Sequence, residues 1–162
     1  MKRWISIFAV LATLFALASC GAKTVELGDY ADTPIEIVGL LNEDFTITPR
    51  ELAQLKIESA TAKGGSEKAG TVSGVGPSLR TFLAHYGKSP ADFEFMRFTA
   101  SDAYTQRFSG KAQADSTFIL AISNGSKPLP NGEAPMRLII PGAESNQWVY
   151  GVVRIEFTPV DG

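Results

Sequence analysis

The chain of 162 residues has one cysteine, one histidine and no surplus of basic side chains: 15 lysines and arginines face 17 acids, a formal net charge of -2. One cysteine excludes an internal disulfide framework, a zinc site built from several thiolates and an iron–sulfur cluster held by four cysteines. One histidine with no second imidazole falls short of a zinc site, and any Ser-His-Asp triad would have to be built on His85. The acidic balance leaves nothing to neutralise a phosphate backbone, which excludes nucleic acid as an expected partner. Charged residues make up 20% of the chain, too few and too mixed in sign for a disordered one, and 44% hydrophobic residues suffice for a single core.

The apolar run Trp4 to Ala18 is fifteen residues long, with Ser6 and Thr13 its only polar members. A membrane-spanning helix needs ~20 such residues, so this run, preceded by Lys2 and Arg3, fits a secretory leader instead. It ends in Leu17-Ala18-Ser19-Cys20-Gly21, which resembles the cleavage and acylation box of bacterial lipoproteins. That resemblance implies a signal peptide over 1–19, a lipid on Cys20 that holds the chain at a membrane, and a place in the bacterial cell envelope facing the periplasm or the exterior. A Gly21 to Thr33 stretch of small, polar and acidic residues then reads as the rest of a tether over 20–33, with the domain proper over 34–162. Without the leader the chain keeps 13 basic and 17 acidic residues, because both cations of the leader leave and no acid does.

Along the domain, Ile35, Ile37 and Val38 predict a first strand and Phe45 with Ile47 a second. Thr48-Pro49-Arg50-Glu51 has the form of a capping box and predicts a short helix through Leu52 and Leu55. Lys56 to Ala62 reads as a strand and residues 63–70 as a glycine-containing turn. Gly65 and Gly70 have the outer spacing of a phosphate-binding loop, but the lysine that should follow the second glycine is missing. Gly74-Val75-Gly76-Pro77 lacks the third glycine of a dinucleotide fingerprint and reads as a helix entry with Pro77 in the first turn. Leu79, Phe82, Leu83 and Tyr86 form one helical face, and Gly87 is placed to end it. Strands follow at Phe93 to Phe98, Tyr104 to Phe108, Phe118 to Ile122, Arg137 to Ile140 and a terminal segment in which Val153, Ile155 and Phe157 share a face. Asn124-Gly125 marks a turn. The pattern is α+β, with mixed sheets and two or three short helices.

In that order, TVSGVGPSLRTFLAHYGKSPADF, FMRFTASDAYTQRF, FILAISNGSKPLP and APMRLIIPGAESNQWVYGVVRIEF resemble the molybdopterin-binding domain of the sulfite oxidase family, from about Ile35 to Phe157. The resemblance implies that fold. It also implies a cysteine thiolate on molybdenum in the segment before Gly74-Val75, a His-Gly pair before the Pro135-Met136-Arg137 strand, and a lysine near the end. This chain has no cysteine between Lys56 and Gly70, reads Asn131-Gly132-Glu133-Ala134 in place of His-Gly, and reads Val149-Tyr150-Gly151 where the family has Val-Lys-Trp. A doubly negative pterin phosphate without basic partners is unfavourable.

The expected cleft residues are Asp102, Tyr104 and Arg137. Asp102 either meets a ligand or shapes a turn through its side chain. Arg137 either pairs with Asp102 or Glu133 or lines an anion pocket. Trp148 and Tyr150 either stack on a planar ligand or pack in the core and its rim. No catalytic or metal-ligating residue is expected, and no cofactor, molybdopterin being the alternative. The reading is a lipid-anchored, non-catalytic module for a small anionic ligand or an envelope protein, the alternative a molybdenum-dependent oxidoreductase or its accessory subunit.

Overall fold

A computed structural model describes residues 25–63 and 70–160, apart from the side chains of residues 114 and 115. The expected leader over 1–19, Cys20 and the turn at 64–69 lie outside the described residues. Residues 25–33, expected to finish a tether, lie against the domain. Val25 and Leu27 pack on the core and Ala31 is buried, apolar surface that gains by leaving water. Arg50 donates to Asp32 at 2.7 Å and the Tyr30 hydroxyl to Asn131 at 3.0 Å, which holds the segment in place.

Alternation of Ile35 and Ile37 with Glu36 builds β1 (Ile35–Val38), the isoleucines buried and the glutamate exposed. β2 (Phe45–Ile47) returns antiparallel to it. The capping box forms as its residues dictate: Thr48 Oγ1 accepts from the Glu51 backbone at 3.3 Å, and the Glu51 carboxylate accepts from the Thr48 backbone at 2.7 Å. The helix it starts, α1 (Pro49–Leu52), ends before Leu55, which packs partly buried beyond it. β3 (Ile57–Lys63) and β4 (Thr71–Pro77) form an antiparallel pair.

Here the expectation for Gly74 to Pro77 is corrected. These residues are the buried half of β4, and the helix entry is Ser78, whose hydroxyl accepts from Thr81 N at 3.3 Å to start α2 (Leu79–His85). The glycines serve close approach. A Cβ on Gly76 would lie 1.9 Å from the Leu120 carbonyl oxygen. Leu79, Phe82 and Leu83 are buried on the helix face read from the sequence, Tyr86 is partly buried, and Gly87 (φ +69) closes the turn.

β5 (Phe93–Ala100) and β6 (Thr105–Ser109) form a hairpin. A third helix without an apolar stripe, α3 (Gly110–Asp115), is capped by Ser109. β7 (Ile119–Ala121) is buried on both faces, β8 (Ser123–Asn124) and β9 (Lys127–Pro128) flank the Asn124-Gly125 turn, and β10 (Arg137–Ile139) pairs with β7. β11 (Val152–Pro159) closes the chain. Its buried face is Val152, Ile155 and Phe157 in place of the expected Val153, Ile155 and Phe157. The register with β5 shifts between Val152 and Arg154, and such a bulge carries the alternation past one residue.

Among the described residues the strands form a five-stranded sheet in the order β2-β1-β11-β5-β6, a four-stranded sheet β3-β4-β8-β9 and the pair β10-β7. β1 runs parallel to β11, and the other pairs are antiparallel. Ile122 N donates to Val75 O at 2.9 Å and Leu79 N to Phe118 O at 2.8 Å, which ties β7 to β4. The core between the layers holds Phe82, Phe98, Met96, Leu120, Leu138 and Trp148. Among the described residues no helix is long and apolar enough to cross a membrane.

Candidate functional site

The turn between β5 and β6 is built by Asp102. Its Oδ1 accepts from Tyr104 N at 2.9 Å, Ala103 takes a positive φ of 68°, and Ser101 N donates to Gly151 O at 2.9 Å. This turn projects Tyr104 toward a short helical turn at Ser145–Gln147, where the Tyr104 hydroxyl and, at 2.9 Å, Gln106 Nε2 both donate to the Asn146 carbonyl.

Between these elements opens a cleft of about 290 Å³ lined by Asp102, Tyr104, Ser145, Asn146, Trp148 and Tyr150. Trp148 is its floor, 1% exposed, with its indole N–H donating to Ile140 O at 3.2 Å. Tyr104 (42% exposed) and Tyr150 (37%) are its rim. Of the two readings left open for these aromatics, Trp148 is core and Tyr150 is rim.

The structure therefore brings Asp102 and Tyr104 together, but Arg137 is not in the lining. It lies behind Tyr150, its guanidinium carbon 5.7 Å from that ring's centroid. The Arg137 side chain is 3% exposed. Nη1 donates to the Glu133 carboxylate, Nη2 donates to the Ser73 carbonyl, and Nε has no partner. Asp102 is spent on its own turn, so of the two expected partners Arg137 takes Glu133. Burial raises Tyr150 above the usual tyrosine range, with Arg137 opposing that shift and Glu133 adding to it. His85 is exposed, edge-on to Tyr86 with centroids 4.9 Å apart, and far in sequence from any acid–base partner of the cleft.

Ser73, Ser145 and Asn146 are site residues that local sequence reading passed over. Ser73 contributes only a backbone oxygen, which carries no side-chain signal. Ser145 and Asn146 follow the Pro141-Gly142 turn, where a loop is expected but its direction is not. A larger cavity of about 620 Å³ opens elsewhere, between residues 39–45 and Lys88, Asp92, Phe93 and Pro159. Two of its three carboxylates are committed, Asp44 to Gly39 N at 3.1 Å and Asp92 to Ser89 N at 2.7 Å.

Mixed sheets over a shared core with a cleft at the hairpin end define an α+β class of domain. The chain belongs to the oxidoreductase molybdopterin binding domain family, whose model matches residues 25–161. The solved sulfane dehydrogenase SoxCD from Paracoccus pantotrophus has the same fold, with a TM-score of 0.64 at 22% identity. The match covers 80% of this chain and 39% of that one. No curated protein sequence matches the chain.

The donor set present does not fit the group for which the family is named. The chain's single cysteine, Cys20, precedes the whole domain, so no thiolate comes from the segment where the resemblance expects one. Among the described residues no three histidine, cysteine, aspartate or glutamate side chains cluster to hold a metal. The cleft is lined by no basic side chain, and the buried cation behind it already faces an acid.

Proposed function

We propose that this chain is a lipid-anchored domain of the bacterial cell envelope, held through Cys20 and facing the periplasm or the exterior. In this reading it works as a non-catalytic binding or interaction module that keeps the molybdopterin-binding fold without the redox site. Its occupant is a small molecule in the cleft of Asp102, Tyr104 and Tyr150, or another envelope protein. The observation that carries the reading is the ion pair of Arg137 with Glu133. The one buried charged side chain among the described residues is neutralised from within the chain, and the cleft lining adds no cation for an anionic cofactor.

Membership of the family supports a second reading, a molybdenum-cofactor-dependent oxidoreductase or its accessory subunit. Metal analysis of the protein purified from its native envelope under cofactor-replete growth separates the two. Molybdenum-free protein is the result expected. Stoichiometric molybdenum, or pterin fluorescence after denaturation, overturns the first reading. For the anchor, Cys20→Ala is expected to move the protein from the membrane fraction to the soluble fraction, and unchanged membrane association would refute it.

A further inference from the structure

A buried guanidinium is tolerable only opposite an anion, because an unpaired charge in the interior carries a large desolvation penalty. Arg137 meets this condition in an uneven way. Its side chain is 3% exposed and cannot reach water, whereas Glu133 is 30% exposed and comes from a surface turn. The backbone of that turn is held independently of the carboxylate: Glu133 N donates to Pro130 O at 3.0 Å and Gly151 N donates to Glu133 O at 3.0 Å. The acid is thus a side chain reaching in from the rim to a fixed cation.

The fit of the two groups is incomplete. Guanidinium binds an oxyanion best through two parallel N–H donors. Glu133 engages Nη1 through one oxygen, Nη2 is taken by the Ser73 carbonyl, and the Nε–H is buried with no acceptor. Arg137 is thus neutralised through one nitrogen and one carboxylate oxygen, and among the described residues the only acid that does so is a side chain that can be removed without touching the hydrogen bonds of its turn.

We propose that Glu133 is a built-in substitute for a small oxyanion at Arg137. The domain requires a negative charge on this guanidinium and supplies it from its own chain. When the Glu133 carboxylate is removed, an oxyanion of carboxylate or sulfate size from solution takes its place on Nη1. The proposal deepens the reading of a domain that needs no anionic cofactor, and it is tested on stability and anion binding, whatever the molybdenum content of the native protein.

The experiment uses the full-length chain in detergent as wild type, Glu133→Ala and the double variant Glu133→Ala with Arg137→Met. Thermal unfolding is followed by far-ultraviolet circular dichroism in chloride, formate and sulfate at matched ionic strength. Wild type is expected to melt alike in the three salts. Glu133→Ala is expected to melt lower in chloride and to recover saturably as formate or sulfate is titrated through the millimolar range. The double variant is expected to lose that response, because no buried cation remains to be neutralised. If Glu133→Ala folds in chloride and responds to neither anion beyond wild type, the proposal is overturned. Should that variant fail to fold in chloride, folding in formate or sulfate supports the proposal. Failure in all three salts, together with a Glu133→Gln variant as stable as wild type, overturns it, because charge at this position would then be dispensable.

Discussion

Replacing Gly76 by alanine tests how closely β4 and β7 approach. The added Cβ would sit 1.9 Å from the Leu120 carbonyl oxygen, 2.7 Å from its carbon and 3.0 Å from Ala121 Cα, all of them backbone atoms that cannot rotate away. Ordinary contact begins near 3.4 Å, so the strands must part by about 1.5 Å. Parting them strains the hydrogen bonds Ile122 N to Val75 O and Leu79 N to Phe118 O, each worth about 1 kcal/mol net. It also loosens the buried side chains of Leu79, Leu120 and Ile122, a disruption of the overpacking kind that costs about 1–3 kcal/mol. The expected loss is about 3–5 kcal/mol, a large share of the 5–15 kcal/mol or so that holds a typical domain folded. Urea titration followed by far-ultraviolet circular dichroism and by Trp148 fluorescence measures it. Gly125→Ala is the control, since that glycine has φ +66 but nothing within 4 Å of an added Cβ, and should lose only about 1 kcal/mol. A Gly76→Ala protein within about 1 kcal/mol of wild type, or one more stable than Gly125→Ala, would refute the reasoning.

Thr48→Ala removes the hydroxyl half of the capping box at α1, leaving the backbone N–H of residue 48 to the Glu51 carboxylate, and is expected to lower stability by about 1 kcal/mol in the same titration; no change would mean the hydroxyl bond is unformed in solution. Hydrogen bonding and charge from Arg50 hold the Asp32 carboxyl below its ordinary value. Its contribution is therefore present above the ordinary aspartate range and lost as pH falls through the depressed value. Carboxyl-detected NMR should show the Asp32 titration rising to the ordinary range in Arg50→Gln, and identical titrations in the two proteins would exclude the pair. Tyr150 should ionise above the usual tyrosine range, and Glu133→Gln should lower that midpoint in an ultraviolet titration because a repelling carboxylate is gone, whereas a rise would contradict the placement of Glu133.

Elements with a local cause were legible in the sequence. Thr48 and Glu51 reach only one turn, and Leu79, Phe82 and Leu83 mark one face of α2 whatever that face packs against. Asp102 and Tyr104 share the cleft because the turn that presents them is bonded within three residues. Elements with a distant cause were not legible. Nothing near Gly74 and Gly76 announces that β7, more than forty residues later, will press against them, so they resemble loop glycines. The bulge in β11 depends on its register with β5, and α3 has no apolar stripe to betray it. The position of Arg137 behind Tyr150 likewise depends on how β10 and the chain before β11 come together, although Glu133 was one of two partners expected for it from its place in the sequence, beside an anion pocket as the alternative.

The two departures around Arg137 form one electrostatic change when they are set in space. Where the family resemblance implies a histidine-glycine pair, this chain carries the turn from which Glu133 reaches Arg137. Where it implies a lysine, the chain carries Tyr150, whose ring lies 5.7 Å from the same guanidinium. One substitution adds a negative charge and the other withholds a positive one, and both act on the one charged side chain buried among the described residues. Either change alone would leave an imbalance: Glu133 beside both a lysine and Arg137 would leave a net positive site, and Tyr150 without Glu133 would leave the buried arginine unpaired. Together they bring the local charge to zero. A pterin phosphate approaching this position would meet the Glu133 carboxylate in place of a free cation, and like charges repel.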